Sequence, residues 1–297
     1  MSNPSVLIIG SNGQLGSDMV MLSKQSGFNV SGIDFPQIDI TNPSITERCI
    51  LDFKPDYIIN CAAYTAVDDC ETHQEKAFAV NAQGPQNIAL SAKKSGAVMV
   101  HISTDYVFDG KKDSPYLEHD QTAPLTVYGK SKLEGERLIA ANCEKYQIFR
   151  IAWLYGIYGN NFVKTIRSIA EKKMQQNQSL TVVNDQFGTP TYTREVCAQV
   201  LTMITQPYYG IFHCTNEGSC SWYDFALEIV KAAKIDVELV PCTTDAFPRP
   251  APRPHYSILE NANLKKLNLN IMKDWNEAFE RFLIDESKHI STDINER

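Results

Sequence analysis

Residues 5–16 read SVLIIGSNGQLG. An unbroken apolar run closed by glycine is the pattern of a strand covered on both faces. A helical pattern then begins at once, carried over 14–26 by Leu15, Met19, Val20 and Leu22. Gly10 and Gly13 let the backbone turn tightly and approach a ligand, and Gly16 permits close packing of helix on strand. The first helical turn then offers unpaired N–H groups to a pyrophosphate. The spacing is G-x-x-G-x-x-G, and a lone glycine motif is weak evidence, so the surrounding order of elements has to carry the reading.

That order continues. FNVSGID (28–34) reads as a second strand, followed by a helix over 41–53 with Asn42 as N-cap and Pro43 at the first helical position. A strand at 56–62, a helix over about 73–95, a strand at 97–103, a helix over about 127–142 and a strand at 146–153 complete the first half. Strict alternation predicts an α/β fold, a Rossmann-like doubly wound parallel sheet. The second half is less regular: a helix after Asn161, a strand at 179–183, a helix near 193–205, a strand at 210–215 and a helix from Trp222. PRPAPRP (248–254) fits neither a helix nor a central strand. The alternation loosens near Trp153, which divides the chain into a cofactor-binding domain (1–152 with about 178–206) and a smaller C-terminal substrate-binding α/β domain (about 153–177 with 207–297).

Composition narrows the function. The 297 residues carry a formal charge of −7, which argues against a sequence-independent hold on nucleic acid. No apolar run approaches the length of a membrane span. Eight cysteines are scattered without a C-x-x-C pair, a pattern of incidental thiols in a reducing compartment, and the expected location is cytoplasmic.

The carboxyl edge of such a sheet is where ligands bind. Asp34 ends the second strand, placed to accept hydrogen bonds from an adenosine ribose. An acid there repels a 2′-phosphate, and no Lys or Arg lies in SNGQLG (11–16) or DFPQIDIT (34–41) to offset it. The local chemistry leans to NADH or to tolerance of both NADH and NADPH. Asp39 and Ile40 are suited to flank the adenine. Cys61, Ala62 and Ala63 are small enough for a flat cofactor to lie on the strand ends. The fourth strand closes with Ser103, Thr104 and Asp105, and the next helix opens with Tyr128 and Lys132, one turn apart on one face. Strand alternation points Ser103 and Thr104 to opposite sides, and Thr104 is the choice for the site.

Together these stretches resemble the extended, nucleotide-sugar branch of the short-chain dehydrogenase/reductase superfamily. GSNGQLG, NCAAYTAVD, ISTDYVFDG, YGKSKLEGE, WLYG, GNNFVKT, DQFGTPT and RPHYS bring the chain nearer still to the dTDP-4-dehydrorhamnose reductase family and its spore-coat polysaccharide relatives, over residues 6 to about 283. The resemblance implies that Tyr128 donates a proton, that Lys132 binds the nicotinamide ribose and lowers the pKa of Tyr128, and that Thr104 orients the substrate oxygen. It implies cofactor contacts from Gly10, Ser11, Asn12, Gly13, Gln14, Leu15, Asp34, Asp39, Ile40, Ala62, Ala63, Tyr64, Tyr128 and Lys132. The dTDP-sugar is expected against Thr65, Val67, Thr104, Asp105, Tyr106, Trp153, Asn161 and Arg253. Arg253 is preferred over Arg249 for the diphosphate, and Asn160 and Asn161 head a helix facing it. Some members share Mg2+ between two subunits, and Asp18, Glu195 and Asp285 fall at acidic positions of that pattern, which raises a homodimer.

Three alternatives stand beside this one. Sugar 4,6-dehydratases place Asp-Glu after the threonine, whereas Asp105 is followed by Tyr106. A reductase of another 4-keto nucleotide sugar has the same local chemistry. The regulatory subunit of animal methionine adenosyltransferase resembles this family and acts as a partner protein, a reading that the intact Thr104, Tyr128 and Lys132 argue against.

Overall fold

Strand β1 (Ser5–Ile9) pairs in parallel with β2 (Asn29–Ile33) on one side and with β3 (Tyr57–Asn60) on the other. The computed structural model, which describes residues 3–295, continues the sheet through β4 (Val98–Thr104) and β5 (Tyr146–Ile151). Four short strands follow, β6 (Leu154–Tyr155), β7 (Leu180–Val183), β8 (Phe187–Gly188) and β9 (Thr191–Tyr192), before β10 (Gly210–His213) adds in parallel to β5. The order across the sheet is β10-β5-β4-β3-β1-β2, so the chain reverses direction of growth between β1 and β3. That reversal opens the crevice in which such sheets bind ligands.

The side chains of β1 show why both faces had to be covered. Val6 and Ile8 join a core cluster with Leu15 and Met19 of α1 (Gln14–Gln25) and Val196 and Val200 further along the chain. Leu7 and Ile9 join the opposite cluster, with Ile50 of α2 (Pro43–Phe53). Asn42 caps α2 by accepting from the N–H groups of Ser44 and Ile45, with Pro43 at its start.

The helical stretch expected over 73–95 is broken into pieces. It comprises α4 (Gln74–Phe78), a π-helical turn (Ala79–Gln83) and α5 (Gly84–Ser95), and a further helix that was not expected, α3 (Val67–Thr72), precedes it. Next comes α6 (Val127–Asn142), capped by the Thr126 hydroxyl accepting from Gly129 N–H. The second lobe is built from α7 (Phe162–Gln175), α9 (Trp222–Ala233) and α11 (Trp275–Asn295), around an aromatic cluster of Tyr155, Phe225, Phe279 and Phe282. Helix α8 (Thr193–Ile204) packs on α1, and α10 (Ala262–Lys266) on β10. Strand β11 (Cys220–Ser221) pairs with β8, and β12 (Leu239–Cys242) with β7.

Two segments lie in the other lobe from the one expected. Strand β7, placed with the cofactor domain, pairs with β12 and packs beside α9. Strand β10, placed with the second domain, hydrogen-bonds to β5 as the edge of the main sheet. Hydrogen-bond partners far apart in sequence decide both, and no local pattern reports them.

The entry to α1 depends on a close approach of backbone to backbone. Gly10 has φ +80°, and a Cβ there would meet the Ala62 backbone at 2.6–2.8 Å. A Cβ on Gly16 would run into the carbonyl of Gly10. Gly16→Ala should therefore cost about 1–3 kcal/mol by overpacking, read as a lower Tm. An unchanged Tm would show that α1 can back away from the loop.

Candidate active site

The cofactor half begins at the glycine loop. Gly13 occupies the N-cap of α1 and has no side chain to satisfy the first turn, so those N–H groups remain available to an anion. Gly10, Gly13, Asp34, Asp39, Ile40, Ala62 and Ala63, all anticipated, line a cavity of about 510 Å³ at the carboxyl edge of β1–β3. Lys76 of α4 lines it too. The loop, the uncapped helix and the small residues after β3 suit a dinucleotide.

Other anticipated cofactor residues are occupied differently. Leu15 is buried in the core, 5% exposed. Gln14 donates to the Leu154 carbonyl and accepts from Asn161 Nδ2, which ties the loop to the second lobe. Asp34 accepts from Asn12 N–H (2.9 Å) and from Phe35 N–H (2.8 Å). The Ser11 carbonyl accepts from the Ser17 hydroxyl. Both backbone groups of Tyr64 are held by the side-chain amide of Asn81, which sits on the π turn and also donates to Ser131 Oγ of α6. Asn81 was not anticipated. A π turn carrying a buried asparagine is a recurrent mark of a functional position, but its register is invisible in a sequence.

Strand β4 delivers its two hydroxyls to opposite sides, as alternation requires. Ser103 Oγ donates to Glu136 Oε1 at 2.6 Å. Thr104 Oγ1 donates to Asp105 Oδ1 at 2.8 Å and accepts from Tyr106 N–H. Tyr128, 8% exposed, lies edge-on to Tyr106 with ring centroids 5.5 Å apart. Burial raises the Tyr128 pKa above the usual phenol value, hydrogen bonding with Thr104 opposes this, and Asp105 adds to it.

The expectation that Lys132 lowers the pKa of Tyr128 is corrected here. Lys132 Nζ makes no hydrogen bond to Tyr128. It donates to the Ile102 carbonyl at 2.6 Å and lies 3.1 Å from His101 Nε2. It is 1% exposed, and burial brings its pKa down to about 8. Desolvation of the phenol outweighs any help from the lysine.

A second cavity, about 950 Å³, opens between the lobes and is lined by Asp105, Tyr106, Trp153 and Arg253, all anticipated for the sugar nucleotide. Asp105 is buried. Its carboxyl is pushed up to about 7 by desolvation, against the hydrogen bond from Thr104. Its Oδ2 has no hydrogen-bond partner among the described residues. Trp153 adopts φ +47°, unusual for a bulky residue, and stacks on Trp222 with ring planes 7° apart. Trp222 and Gln186, which joins the indole N–H to Thr244, were not anticipated.

Arg253 lines the cavity while bonded to Asp68 by two hydrogen bonds, 3.0 and 2.8 Å. Arg249 lines it too, is 60% exposed and lies 3.9 Å from the same carboxylate. Three other residues expected at the substrate lie outside the wall. Asn161 caps α7 by accepting from Lys164 N–H and spends its amide on Gln14 and the Gly156 carbonyl, so it is not in the cavity wall. Thr65 is exposed and outside the wall, and Val67 packs in the apolar cluster around Tyr128.

Nothing among the described residues supports the magnesium expectation. Asp18 is fully buried and accepts from Thr193 Oγ1 and Arg194 Nε. Asp285 pairs with Arg194 and accepts from Tyr192. Glu195 pairs with Arg281 at 2.6 Å. Each acid already has a cation, and the described residues contain no group of three metal-ligating side chains.

Among the described residues, no helix is long and apolar enough to cross a membrane. Comparison with known proteins agrees with this geometry. The model of the RmlD substrate binding domain family matches residues 4–288. The spore coat polysaccharide biosynthesis protein SpsK of Bacillus subtilis is 38% identical, over 95% of this chain and 98% of its own. A dTDP-4-dehydrorhamnose reductase structure from Clostridium acetobutylicum superposes with a TM-score of 0.91 at 46% identity, covering 94% of this chain and 98% of that one. The Bacillus anthracis dTDP-4-dehydrorhamnose reductase, solved in complex with NADP, superposes with a TM-score of 0.91 at 38% identity, covering 95% and 99%. With its glycine loop, its Thr104–Tyr128–Lys132 grouping and nearly its whole length matched, this chain belongs to the RmlD family.

Proposed function

We propose that this protein is a dTDP-4-dehydrorhamnose reductase, which reduces the C4 ketone of dTDP-4-dehydro-L-rhamnose with NADPH or NADH to give dTDP-L-rhamnose. The observation that carries the reading is the buried, hydrogen-bonded pair of Tyr128 and Thr104, next to Asp105 and Tyr106 in the wall of the sugar-side cavity, in a chain that also holds a cavity suited to a dinucleotide. When bound, the reduced nicotinamide supplies the hydride.

The residues of the chain do the rest. The first turn of α1 and the glycine loop hold the pyrophosphate, and Ala62 and Ala63 leave room along the strand ends. Thr104 orients the ketone oxygen. Tyr128 carries the proton that the oxygen takes up as the carbon is reduced. Trp153, stacked on Trp222, forms a flat wall on the sugar side, and Arg249 on the rim is placed to meet a diphosphate. Tyr106 stands where a dehydratase needs a second acid, so elimination of water has no base there.

Asp105 contributes in its neutral form. A carboxyl with its pKa near 7 is substantially protonated at neutral pH and presents a donor to a sugar hydroxyl.

Tyr128→Phe should lower kcat by at least about 10²-fold while the fold persists. The readout is oxidation of reduced nicotinamide that depends on dTDP-4-dehydro-L-rhamnose, with circular dichroism as the folding control. Near-normal turnover would remove Tyr128 from the role, and no turnover by the wild-type protein with either nicotinamide would refute the reading. The pKa of Asp105 supplies a test that needs no substrate. The unfolded carboxyl ionises near pH 4 and the folded one near pH 7, so the folded state holds an extra proton between them and stability falls as pH rises through that window. Asp105→Asn should remove this slope, leaving the variant better off relative to wild type at pH 8 than at pH 5 by about 2–3 kcal/mol, measured by denaturant titration. Parallel pH dependences for the two proteins would show that Asp105 ionises normally.

A further inference from the structure

Lys132 is buried without an acid. Its ammonium would have the Ile102 carbonyl as its one hydrogen-bond acceptor apart from the His101 ring. A fully buried lysine with no ion pair is among the rarest arrangements in folded proteins.

The hydrogen bonds behind it fix what the ring can offer. Asn60, at the end of β3, accepts from Ala62 N–H through Oδ1 at 3.1 Å. That contact orients the amide, so Nδ2 is the atom facing His101 Nδ1 at 3.0 Å. An amide nitrogen can only donate, so Nδ1 holds the lone pair. His101 is fully buried and desolvation, the larger cause, holds its pKa well below the usual histidine range, so the ring is neutral. The ring hydrogen must then sit on Nε2, which points at Lys132 Nζ. A neutral amine completes the chain, donating to the Ile102 carbonyl and accepting from Nε2–H. A charged lysine breaks it, either by setting N–H against N–H at Nζ or by flipping Asn60 so that its NH2 meets Ala62 N–H. Each leaves a buried donor unsatisfied, at a cost of about 1–3 kcal/mol.

We propose that His101 is a positioning residue for Lys132: held as its Nε2–H tautomer by Asn60, it donates to Nζ and favours the neutral amine over the ammonium, lowering the proton affinity of the lysine.

The other groups around Nζ are few. Cys61, after β3, has its own pKa raised to about 12 by burial and is a neutral thiol. Glu136, one turn further along α6, favours the charged lysine, but its carboxylate is gripped by Arg150 and Ser103. Burial wins over both and lowers the proton affinity of Lys132, the direction that the hydrogen bonds require.

A neutral Lys132 must take up one proton from solvent before it can act as a cation beside the Tyr128 phenolate. Only this consequence rests on the reductase reading; the hydrogen-bond argument does not involve turnover. The test is NMR on the whole cofactor-free protein. Histidine ring 15N shifts report the tautomer, and the lysine Cε–Hε signal lost in Lys132→Met reports the titration of Nζ. The expected result is Nε2–H at His101 and a Lys132 midpoint below about pH 9. Asn60→Asp, whose carboxylate accepts from Nδ1–H, should switch the ring to the other tautomer and raise the proton affinity of Lys132 at least about tenfold. A wild-type ring that is Nδ1–H or doubly protonated, or a Lys132 still charged at that pH, overturns the proposal without any variant. So does Asn60→Asp folding with the tautomer and midpoint unchanged.

Discussion

The Glu136–Arg150 pair sets the position of everything on α6. Arg150 projects from β5 and grips both carboxylate oxygens at 2.9 and 2.7 Å, with both side chains 3% exposed. Ser103 of β4 adds a third hydrogen bond to the same carboxylate. Breaking such a pair leaves an uncompensated buried charge and costs about 3–5 kcal/mol. Glu136 lies four residues after Lys132 and eight after Tyr128, so the three share one helix face. Anchoring the last fixes the rotation and the height of the other two over the end of β4. Asn81 then ties the N-terminal half of α6, through Ser131, to the Tyr64 peptide beside the cofactor cavity. Tyr128 is held by a network whose side chains lie outside the wall of the sugar-side cavity.

Much of this was legible in the sequence. The alternation of apolar runs and helical patterns sufficed for the parallel sheet because every strand of its interior is buried on both faces, and burial writes itself as continuous hydrophobicity. Asn42 and Asn161 were readable as caps because capping depends on neighbours two or three residues away. Strand alternation was enough to put Ser103 and Thr104 on opposite sides, and the family resemblance was needed to choose between them. Contacts between distant segments were not readable. Arg253 meets Asp68 across 185 residues, and Arg194 meets Asp18 across 176. Knowing either partner alone, one sees a free charge and assigns it to a phosphate or a metal. His101 and Asn60 did leave a trace, as polar residues inside the apolar runs VMVHIS and YIINC. A polar side chain at a doubly covered strand position must have a partner, and following that rule leads to Lys132.

The cofactor question shows the same limit from another side. Asp34 argues against a 2′-phosphate when only the segments around it are considered. The cavity has another contributor: Lys76, on a helix remote in sequence, lines the same space, its ammonium 4.5 Å from the centre of the Tyr64 ring. Two of the hydrogen bonds that Asp34 accepts are internal, which draws its charge toward the loop. The balance of charge in the cavity is therefore nearer neutral than the local sequence implies, and tolerance of both nicotinamides follows more naturally than exclusion of either.

The raised pKa of Tyr128 looks at first like an obstacle to proton donation. A donor must, however, hold its proton until the substrate oxygen becomes basic, and burial ensures that it does. What matters is the stabilisation of the phenolate relative to the phenol at the moment the alkoxide forms. Thr104 is in place for that, and a cation arriving on Lys132 would add to it in a site whose walls exclude water and so magnify each charge. A lysine whose proton affinity is lowered carries less of the cost of a buried charge while the site is idle. The two shifts, phenol up and amine down, belong to one design: burial withholds both charges, and the reacting oxygen is what calls them out.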